Sequence, residues 1–287
     1  MSEAVVVTGA SSGIGRATAF RLADAGYHVF AGVRKERDGE ALVRGTRGEL
    51  TPLILDVTDR DAVRDAAVAV GGSGLPLAGL VNNAGIGAAW PMEAVPLDEL
   101  RRQFEVNVFG QVAVIQEFVP LLQRAGGRIV TIGSIGDRLT VPFLAPLTSA
   151  KWALASITEA LRMELRPRGI RVVLVEPATI RTPASGKVRD AAEEALERMG
   201  EEQRAVYGRS FRSMVGRLHA NEQAGSSPDV VARAVLRALD AGRPAGRYLV
   251  GKDAAKMALM ARWLPDRALD FARLRQFGLP WRFGSRR

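Results

Sequence analysis

The sequence predicts an α/β fold in which a doubly wound parallel sheet of about seven strands carries helices on both faces. Seven short β-branched runs, each bounded by Gly, Pro, Asn or Asp, have the composition of buried strands: AVVVT (4–8), HVFAGV (28–33), PLILDV (52–57), AGLVNN (78–83), GRIVTIGS (127–134), IRVVLVEP (170–177) and RYLVG (247–251). Helical patterns separate them, over 14–25, 59–70, 97–124, 148–166 and 228–240. This alternation requires right-handed crossover connections, which build a parallel sheet buried on both faces.

Two long segments depart from the alternation. Charged helical sequence replaces the usual short connection over about 182–227, and long insertions of this kind are often lids. An amphipathic, basic pattern over about 252–287 is suited to pack as a terminal helix, to mediate dimerisation or to contact a membrane surface. The sequence contains no internal repeat or interdomain linker, so it predicts one domain over 1–287 that carries both additions.

The composition argues against several classes of protein. The 287 residues include no cysteine, which excludes disulfides and cysteine chemistry, and the two histidines, His28 and His219, are too far apart in sequence to suggest a metal site. We find neither a membrane-spanning run nor a signal-peptide pattern, so we expect a cytoplasmic protein without a transmembrane segment. Of the net charge of +9, residues 262–287 contribute +5, from seven arginines against Asp266 and Asp270. Because no aromatic residues alternate with the basic ones, we do not expect nucleic-acid binding.

A glycine-rich turn follows the first predicted strand and opens the first predicted helix. In TGASSGIG, the glycines let the chain turn sharply and let backbone N–H groups approach a pyrophosphate, which the positive end of the helix then attracts. Strand, turn and helix together are typical of a Rossmann-type nucleotide site, although the spacing is Gly-x3-Gly-x-Gly. We expect the turn to bind the cofactor through Gly9, Ser11, Ser12, Gly13, Ile14 and Gly15.

The residues after the second and third strands indicate which dinucleotide binds. NAD sites carry an acidic residue at the end of the second strand, whereas an arginine there accommodates a 2′-phosphate. Arg34 stands at this place, with Lys35 and Arg37 nearby, so NADP(H) is favoured over NAD(H); the alternative is that Arg34 is a solvated loop charge. Asp56 either hydrogen-bonds an adenine amino group or caps the helix that begins near Asp59.

Seven motifs stand in the order and spacing of the short-chain dehydrogenase/reductase family. The chain resembles that family over roughly residues 4–251, through TGASSGIG (8–15), LILDV (53–57), NNAG (82–85), VNVFG (106–110), IGSIG (132–136), the lysine of TSAKWAL and EPATIRTP (176–183). Within the family it is similar to retinol and 17β-hydroxysteroid dehydrogenase-like members. The resemblance implies an enzyme that transfers hydride between a nicotinamide cofactor and a carbonyl or alcohol.

The family motifs also imply which further residues meet the cofactor. Asn83, Ala84 and Gly85 resemble the segment that passes the adenosine ribose, and Asp56 and Val57 belong to the LILDV motif beside it. The loop that covers the nicotinamide and pyrophosphate is matched by Pro177, Ile180 and Thr182, although Ala178 replaces the usual glycine.

The catalytic motif of the family is present except for one residue. Ser134 matches the serine that hydrogen-bonds the substrate oxygen, and Asn107 matches the asparagine that holds a water beside the catalytic lysine. Lys151 matches the lysine that binds the nicotinamide ribose and lowers the pKa of a catalytic tyrosine. The resemblance places that tyrosine at position 147, where this chain has Leu147. Leucine has no proton to give, and the loss of a general acid typically costs about 10² to 10⁴ in rate.

Three hypotheses follow from this departure. The first is an NADP(H)-dependent oxidoreductase acting on a hydrophobic carbonyl or alcohol, with a substitute donor or with a water held by Lys151 and Asn107. The second is a non-redox dehydration, isomerisation or cyclisation, and the third is a catalytically silent NADP(H)-binding protein. The candidate substitute donors are Thr148, Ser149, Asp137, Arg138, Tyr207 and His219.

Two further features concern the substrate and the oligomeric state. Apolar residues follow the strand ends where such sheets bind ligands, which suggests an apolar pocket closed by the insertion: Ile86, Ala88, Ala89, Trp90, Phe143 and Leu144. Trp90 and Phe143 are equally suited to be core residues. The family resemblance implies a homodimer or homotetramer that associates through the helices at 97–124 and 148–166.

Overall fold

The computed structural model describes residues 2–281 and contains one seven-stranded parallel sheet. The strands are β1 (Ala4–Val7), β2 (His28–Val33), β3 (Leu50–Ile54), β4 (Leu77–Asn82), β5 (Arg128–Ile132), β6 (Arg171–Pro177) and β7 (Arg247–Val250). Their order is β3-β2-β1-β4-β5-β6-β7, and every neighbouring pair is parallel. The predicted doubly wound fold is confirmed, and the order in which the strands are added reverses between β1 and β4, where such sheets bind ligands.

Eleven α-helices flank or extend the sheet within the described residues. They are α1 (Gly13–Asp24), α2 (Glu36–Gly45), α3 (Arg60–Gly72), α4 (Leu97–Phe104), α5 (Gly110–Ala125), α6 (Ala145–Glu164), α7 (Ala184–Arg198), α8 (Glu201–Gln223), α9 (Asp229–Asp240), α10 (Ala254–Trp263) and α11 (Asp266–Gln276). The predicted helix over 97–124 is interrupted by a π turn at Glu105–Phe109, and α2 was not predicted. No helix among residues 2–281 has the length and apolarity to cross a bilayer.

Alternating strand residues contribute to two hydrophobic cores on opposite faces of the sheet. In β1, Val6 belongs to the core that also contains Phe118 of α5, whereas Val5 belongs to the core that contains Leu22 of α1 and Val235 of α9. Side chains of a strand point alternately to its two faces, so β1 to β6 contribute to both cores. The two cores hold the carboxyl ends of β1, β4 and β5 in fixed positions at one edge.

A third cluster lies above that edge and includes the helices of the predicted insertion. Trp90 and Phe143 are both buried, and they pack with Leu196 of α7 and Phe211 of α8. The backbone N–H of Trp90 donates a hydrogen bond to the backbone carbonyl of Phe143 at 2.8 Å, which joins the two loops directly. Of the two hypotheses for these aromatic residues, the core position is therefore the one that the structure shows.

Candidate active site

Hydrogen bonds connect the glycine-rich turn to the end of β4. The hydroxyl oxygen of Thr8 accepts hydrogen bonds from the N–H groups of Asn83 and Ala84, at 2.9 and 3.0 Å. In return, the Asn83 amide donates to the carbonyls of Thr8 and Gly9, at 2.9 and 3.2 Å. The two segments that the sequence assigned to the cofactor are thus brought together by four hydrogen bonds.

The turn itself has the shape needed for a diphosphate. Gly9 adopts φ +65°, and a Cβ at this position would lie 2.8 Å from the Cα of Ala84, so no larger residue fits. Helix α1 begins at Gly13 with no acidic residue in its first turn, and Ser12 makes no side-chain cap. The N–H groups and the positive end of the helix dipole therefore have no side-chain anion of their own, which fits a bound pyrophosphate.

Arg34 and Asp56 follow β2 and β3, and the carboxyl ends of these two parallel strands lie at the same edge of the sheet. Arg34 is exposed at the end of β2, and no ion pair to it occurs among residues 2–281. Asp56 accepts hydrogen bonds from the N–H and hydroxyl of Thr58, at 3.0 and 2.7 Å. Asp59, not Asp56, caps α3 through the N–H groups of its first turn, so the capping hypothesis for Asp56 was wrong. Val57 is buried in the adjacent core.

The loop after β6 lies over the glycine-rich turn. Thr182 lies next to Gly13, within van der Waals reach of where a side chain there would begin. Pro177 ends β6, and Ile180 is buried and bridges to Ser226. Thr179 is held at φ +50°, an unusual value for a β-branched residue, which marks a sharp bend in this loop. The structure therefore brings Thr182 next to the glycine-rich turn, with Pro177 and Ile180 in the same loop.

Ser134 lies at the end of β5, where a short 3₁₀ turn begins. Its Oγ accepts a hydrogen bond from the Gly136 N–H at 3.0 Å. This contact uses a lone pair of the oxygen, so the hydroxyl keeps its hydrogen for another acceptor. Ser134 is half-buried, so a substrate oxygen can reach it.

Lys151 projects from α6 to the same place and is almost fully buried. Its Nζ donates to the carbonyl of Ile132 at 2.9 Å, two residues before Ser134. Burial lowers the pKa of Lys151 to about 8, and only an ionised Asp137 would oppose this shift. An ammonium group that loses its proton near neutral pH is chemically unlike the solvated lysines of a protein surface.

Asn107 lies in the π turn between α4 and α5. Its side chain clamps the backbone of Ile86: Oδ1 accepts from the Ile86 N–H at 2.8 Å, and Nδ2 donates to the Ile86 carbonyl at 2.9 Å. A Cβ at Gly85 would lie 3.0 Å from Asn107 Oδ1 and 3.9 Å from Lys151 Nζ, so both groups border one point beside Gly85. π turns are rare and are frequent at functional sites.

Leu147 presents an apolar side chain one helical turn before Lys151. Its Cδ2 and the Cγ2 of Val188 on α7 both lie next to Gly87, within 3.6 Å of where a side chain at that glycine would begin. The position to which the family resemblance assigns a phenol is thus part of an apolar surface shared with the inserted helices.

A buried cluster of charged residues underlies Ser134. Arg138 makes two hydrogen bonds to the Glu176 carboxylate, at 2.5 and 3.0 Å, and Arg247 Nη1 lies 2.7 Å from the same carboxylate. Both oxygens of Asp137 are buried, and no N–H or O–H group of the described residues donates a hydrogen bond to them, although Arg247 Nη1 lies 3.8 Å from Oδ1. The other neighbour is Glu176, which bonds to Asp137 only if one of the two carboxyls holds a proton.

Asp137 is the member of this pair that keeps the proton. Burial, together with the hydrogen bond and negative charge of Glu176, raises the pKa of Asp137 to about 8. Burial alone would also raise the pKa of Glu176, but the hydrogen bonds from Arg138 and Asp137 outweigh it and lower that pKa. Two carboxyls that share one proton have divergent pKa values for this reason.

Four of the other candidate donors make contacts of their own. The Thr148 hydroxyl donates to the Leu144 carbonyl at 3.0 Å, and that of Ser149 donates to the Pro146 carbonyl at 3.4 Å. Arg138 is held by Glu176, and Tyr207 packs edge-on against Phe143. His219 lies on α8, with a buried Nδ1 that has no hydrogen-bond partner among the described residues.

One titratable group near the groove was missed by sequence reasoning. Burial raises the pKa of Glu222 on α8 to about 7, although a hydrogen bond with Ser185 opposes this shift. The single hydroxyl hydrogen of Ser185 can be given either to this carboxylate or to the carbonyl of Thr182, 3.2 Å away. Only the packing of α8 on α7 creates this arrangement, so no local pattern could have revealed it. Among residues 2–281, no group of three His, Asp or Glu residues is placed to hold a metal ion.

The raised pKa of Asp137 predicts a pH-dependent stability. Between about pH 4 and pH 8 the folded chain keeps a proton that the unfolded chain releases, so the free energy of unfolding falls as pH rises, by up to about 1.4 kcal/mol per pH unit. We expect Asp137→Asn to lose most of this decline and to exceed the native stability at pH 8. Urea unfolding from pH 5 to pH 8 measures it, with the exposed Asp98→Asn as control; equal slopes for all three proteins would contradict the assignment.

Known proteins are similar to this chain throughout its length. A model of the short chain dehydrogenases matches residues 3–193. An NADPH-dependent 3-dehydrocapnine reductase from Ornithobacterium rhinotracheale is 35% identical over 275 residues, which cover 92% of this chain and 94% of that protein. Retinol dehydrogenase 5 from Homo sapiens is 33% identical over 276 residues, which cover 93% of this chain and 86% of that protein.

Solved structures agree with these sequence matches. A short chain dehydrogenase from Burkholderia cenocepacia in complex with NADP aligns with a TM-score of 0.71 at 28% identity, covering 95% of this chain and 97% of that chain. The family model spans more than half of the chain, and the fold and the order of the motifs agree with it. The chain therefore belongs to the short-chain dehydrogenase family and is an oxidoreductase.

Proposed function

We propose that the protein is an NADP(H)-dependent oxidoreductase that acts on a hydrophobic carbonyl or alcohol and moves the proton through Lys151 instead of a tyrosine. The observation that carries this proposal is the buried Lys151 ammonium, hydrogen-bonded at 2.9 Å to Ile132 and with a pKa lowered to about 8. A general acid works best when its pKa lies near the operating pH, and this lysine meets that condition.

The groove residues would hold the dinucleotide. The N–H groups at the start of α1 and the turn at Gly9 are suited to the pyrophosphate, and Asn83, Ala84 and Gly85 are suited to the adenosine ribose. Arg34, which is exposed and free of ion pairs among residues 2–281, supports a 2′-phosphate and hence NADP(H). When bound, this cofactor supplies or accepts the hydride.

Ser134 and Lys151 would share the work at the substrate oxygen. The Ser134 hydroxyl donates a hydrogen bond to that oxygen, because its lone pair is already engaged by Gly136. Lys151 then delivers the proton, directly or through one water at the point beside Gly85 that Nζ and the Asn107 side chain border. Asn107 acts as a positioning residue, because its amide holds the Ile86 backbone at the edge of this point.

The chemistry of the surroundings supports a hydrophobic substrate. Leu147, Val188 and Gly87 form an apolar surface beside the catalytic residues, and helices α7 and α8 are suited to act as a lid above it within a single domain. Two of the related proteins are a 3-dehydrocapnine reductase and a retinol dehydrogenase. We infer a bulky, mostly apolar substrate with one reactive oxygen.

Exposed apolar side chains support a homo-oligomer. Phe109 at the π turn and Trp152 and Met163 on α6 are large, apolar and exposed. These residues belong to the two helical segments through which family members are expected to associate. Exposed apolar patches of this kind often mark protein–protein contacts.

Cofactor choice is tested by reversing the charge at Arg34. We expect Arg34→Glu to weaken NADPH binding by about 10- to 100-fold, because a charge-assisted contact to the 2′-phosphate is lost, and to leave NADH binding unchanged or improved. Fluorescence titration of both nucleotides measures this, with Arg44→Glu as the charge-matched control on α2. Equal affinities of the native protein for NADPH and NADH would refute the preference.

The proton relay is tested by the pH dependence of turnover. With NADPH and a panel of apolar aldehydes and ketones, we expect native kcat to fall above about pH 8, as Lys151 loses its proton. Lys151→Met should lower kcat by about 10² to 10⁴, whereas the control Lys187→Met should not. Leu147→Tyr separates the hypotheses. If the native protein is inert on the panel and this variant turns over, the lysine relay is contradicted, and a non-redox or silent native protein is favoured.

A further inference from the structure

The C-terminal hairpin, formed by α10 and α11 (residues 254–276), presents large apolar side chains to solvent. Leu259 is 61% exposed, Trp263 68% and Phe271 57%. Leu259 and Trp263 are four residues apart on α10, so they share one face, and Leu264 and Pro265 continue the exposed surface into the connection between the helices. Such a concentration of exposed aromatic and aliphatic groups requires an explanation.

The opposite side of the hairpin is fixed to the domain. Ala254 and Ala258 of α10 are buried against Ile135 and Ala178, and Leu269 of α11 is buried as well. The side of α10 that carries Leu259 and Trp263 is therefore held outward by the packing of Ala254 and Ala258.

Basic side chains are exposed on the same two helices as these apolar groups. Arg262 lies over the Trp263 ring, 5.3 Å from its centroid, and Lys256, Arg267 and Arg275 are exposed on the same two helices. Asp266 and Asp270 are also exposed, and Asp270 is paired with Arg273, but residues 254–276 carry five basic residues against these two, a net +3. The hairpin thus combines an apolar face with an excess of positive charge.

We propose that this hairpin docks the protein on an anionic membrane surface. Helices that expose Trp, Phe and Leu together with arginine are suited to lie in the plane of the lipid headgroups. Tryptophan and arginine suit this layer, since each combines an apolar body with a polar end. A symmetric contact with a second copy would instead bring the same positive charges of both chains together, so charge favours the lipid surface.

The position of the hairpin links the membrane to the active site. Ile135, on which α10 packs, directly follows Ser134, and Ala178 directly follows Pro177 at the end of β6. A substrate dissolved in the bilayer would therefore enter close to the catalytic residues. This link rests on the proposed function, whereas membrane binding itself does not.

Sedimentation with lipid vesicles tests the proposal without any substrate. We expect the native protein to bind phosphatidylcholine vesicles that contain phosphatidylglycerol, to bind pure phosphatidylcholine vesicles much more weakly, and to dissociate as NaCl rises. Trp263→Ser should weaken binding at least about ten-fold, because the indole is no longer buried in lipid. Val68→Ser, which changes an equally exposed side chain on α3, should have no effect.

A charge series and a mass measurement complete the test. Arg262→Gln with Arg267→Gln should weaken binding by about five-fold for each arginine, whereas Arg124→Gln with Arg166→Gln, two exposed arginines elsewhere, should leave it nearly unchanged. Light scattering should give the same oligomeric mass for the native protein and Trp263→Ser, and far-UV circular dichroism reports that each variant is folded. Absence of native binding to anionic vesicles, or a lower mass for Trp263→Ser, would overturn the proposal, and the second result would assign the hairpin to contacts between chains.

Discussion

The hydrogen bond from Lys151 Nζ to the Ile132 carbonyl, 2.9 Å long, is the interaction on which the proposed chemistry depends. It holds a cationic group inside the protein, two residues from Ser134, where burial favours the neutral amine. Moving an ammonium group from water into the protein interior is costly unless it is paired, so a lysine here lowers the free energy of unfolding. A role in the reaction explains why this position carries a lysine despite that cost. Its lowered pKa makes this lysine a suitable proton donor beside an apolar Leu147.

Most of the fold could be predicted because the signals are local. Each of the seven strands is a short β-branched run, and the glycine-rich turn lies between the first strand and the first helix, as its spacing indicated. Helix α2 was missed because its sequence, ERDGEALVRG, contains a glycine and few apolar residues. It is held by packing, through Leu42, against the core that contains α1, which a local pattern does not record.

Less of the candidate site could be predicted, because its groups come from distant parts of the chain. The buried carboxyl pair joins Asp137 to Glu176, and Arg247 reaches Glu176 from β7. Sequence patterns described Trp90 and Phe143 equally well as pocket or core, and only the packing of α7 and α8 decided for the core. The family resemblance supplied Ser134, Lys151 and Asn107, but the engagement of the Asn107 amide with the Ile86 backbone required the structure.

The most direct measurement is the titration of Lys151 itself. The chain has five lysines, so the side-chain nitrogen signals of a lysine-labelled sample can be resolved by NMR and assigned with Lys151→Met. We predict that one signal titrates near pH 8, as burial of Lys151 requires, and that this signal disappears in the variant. If all five lysines instead titrate near the ordinary value of about 10.4, Lys151 is not the proton donor of this protein.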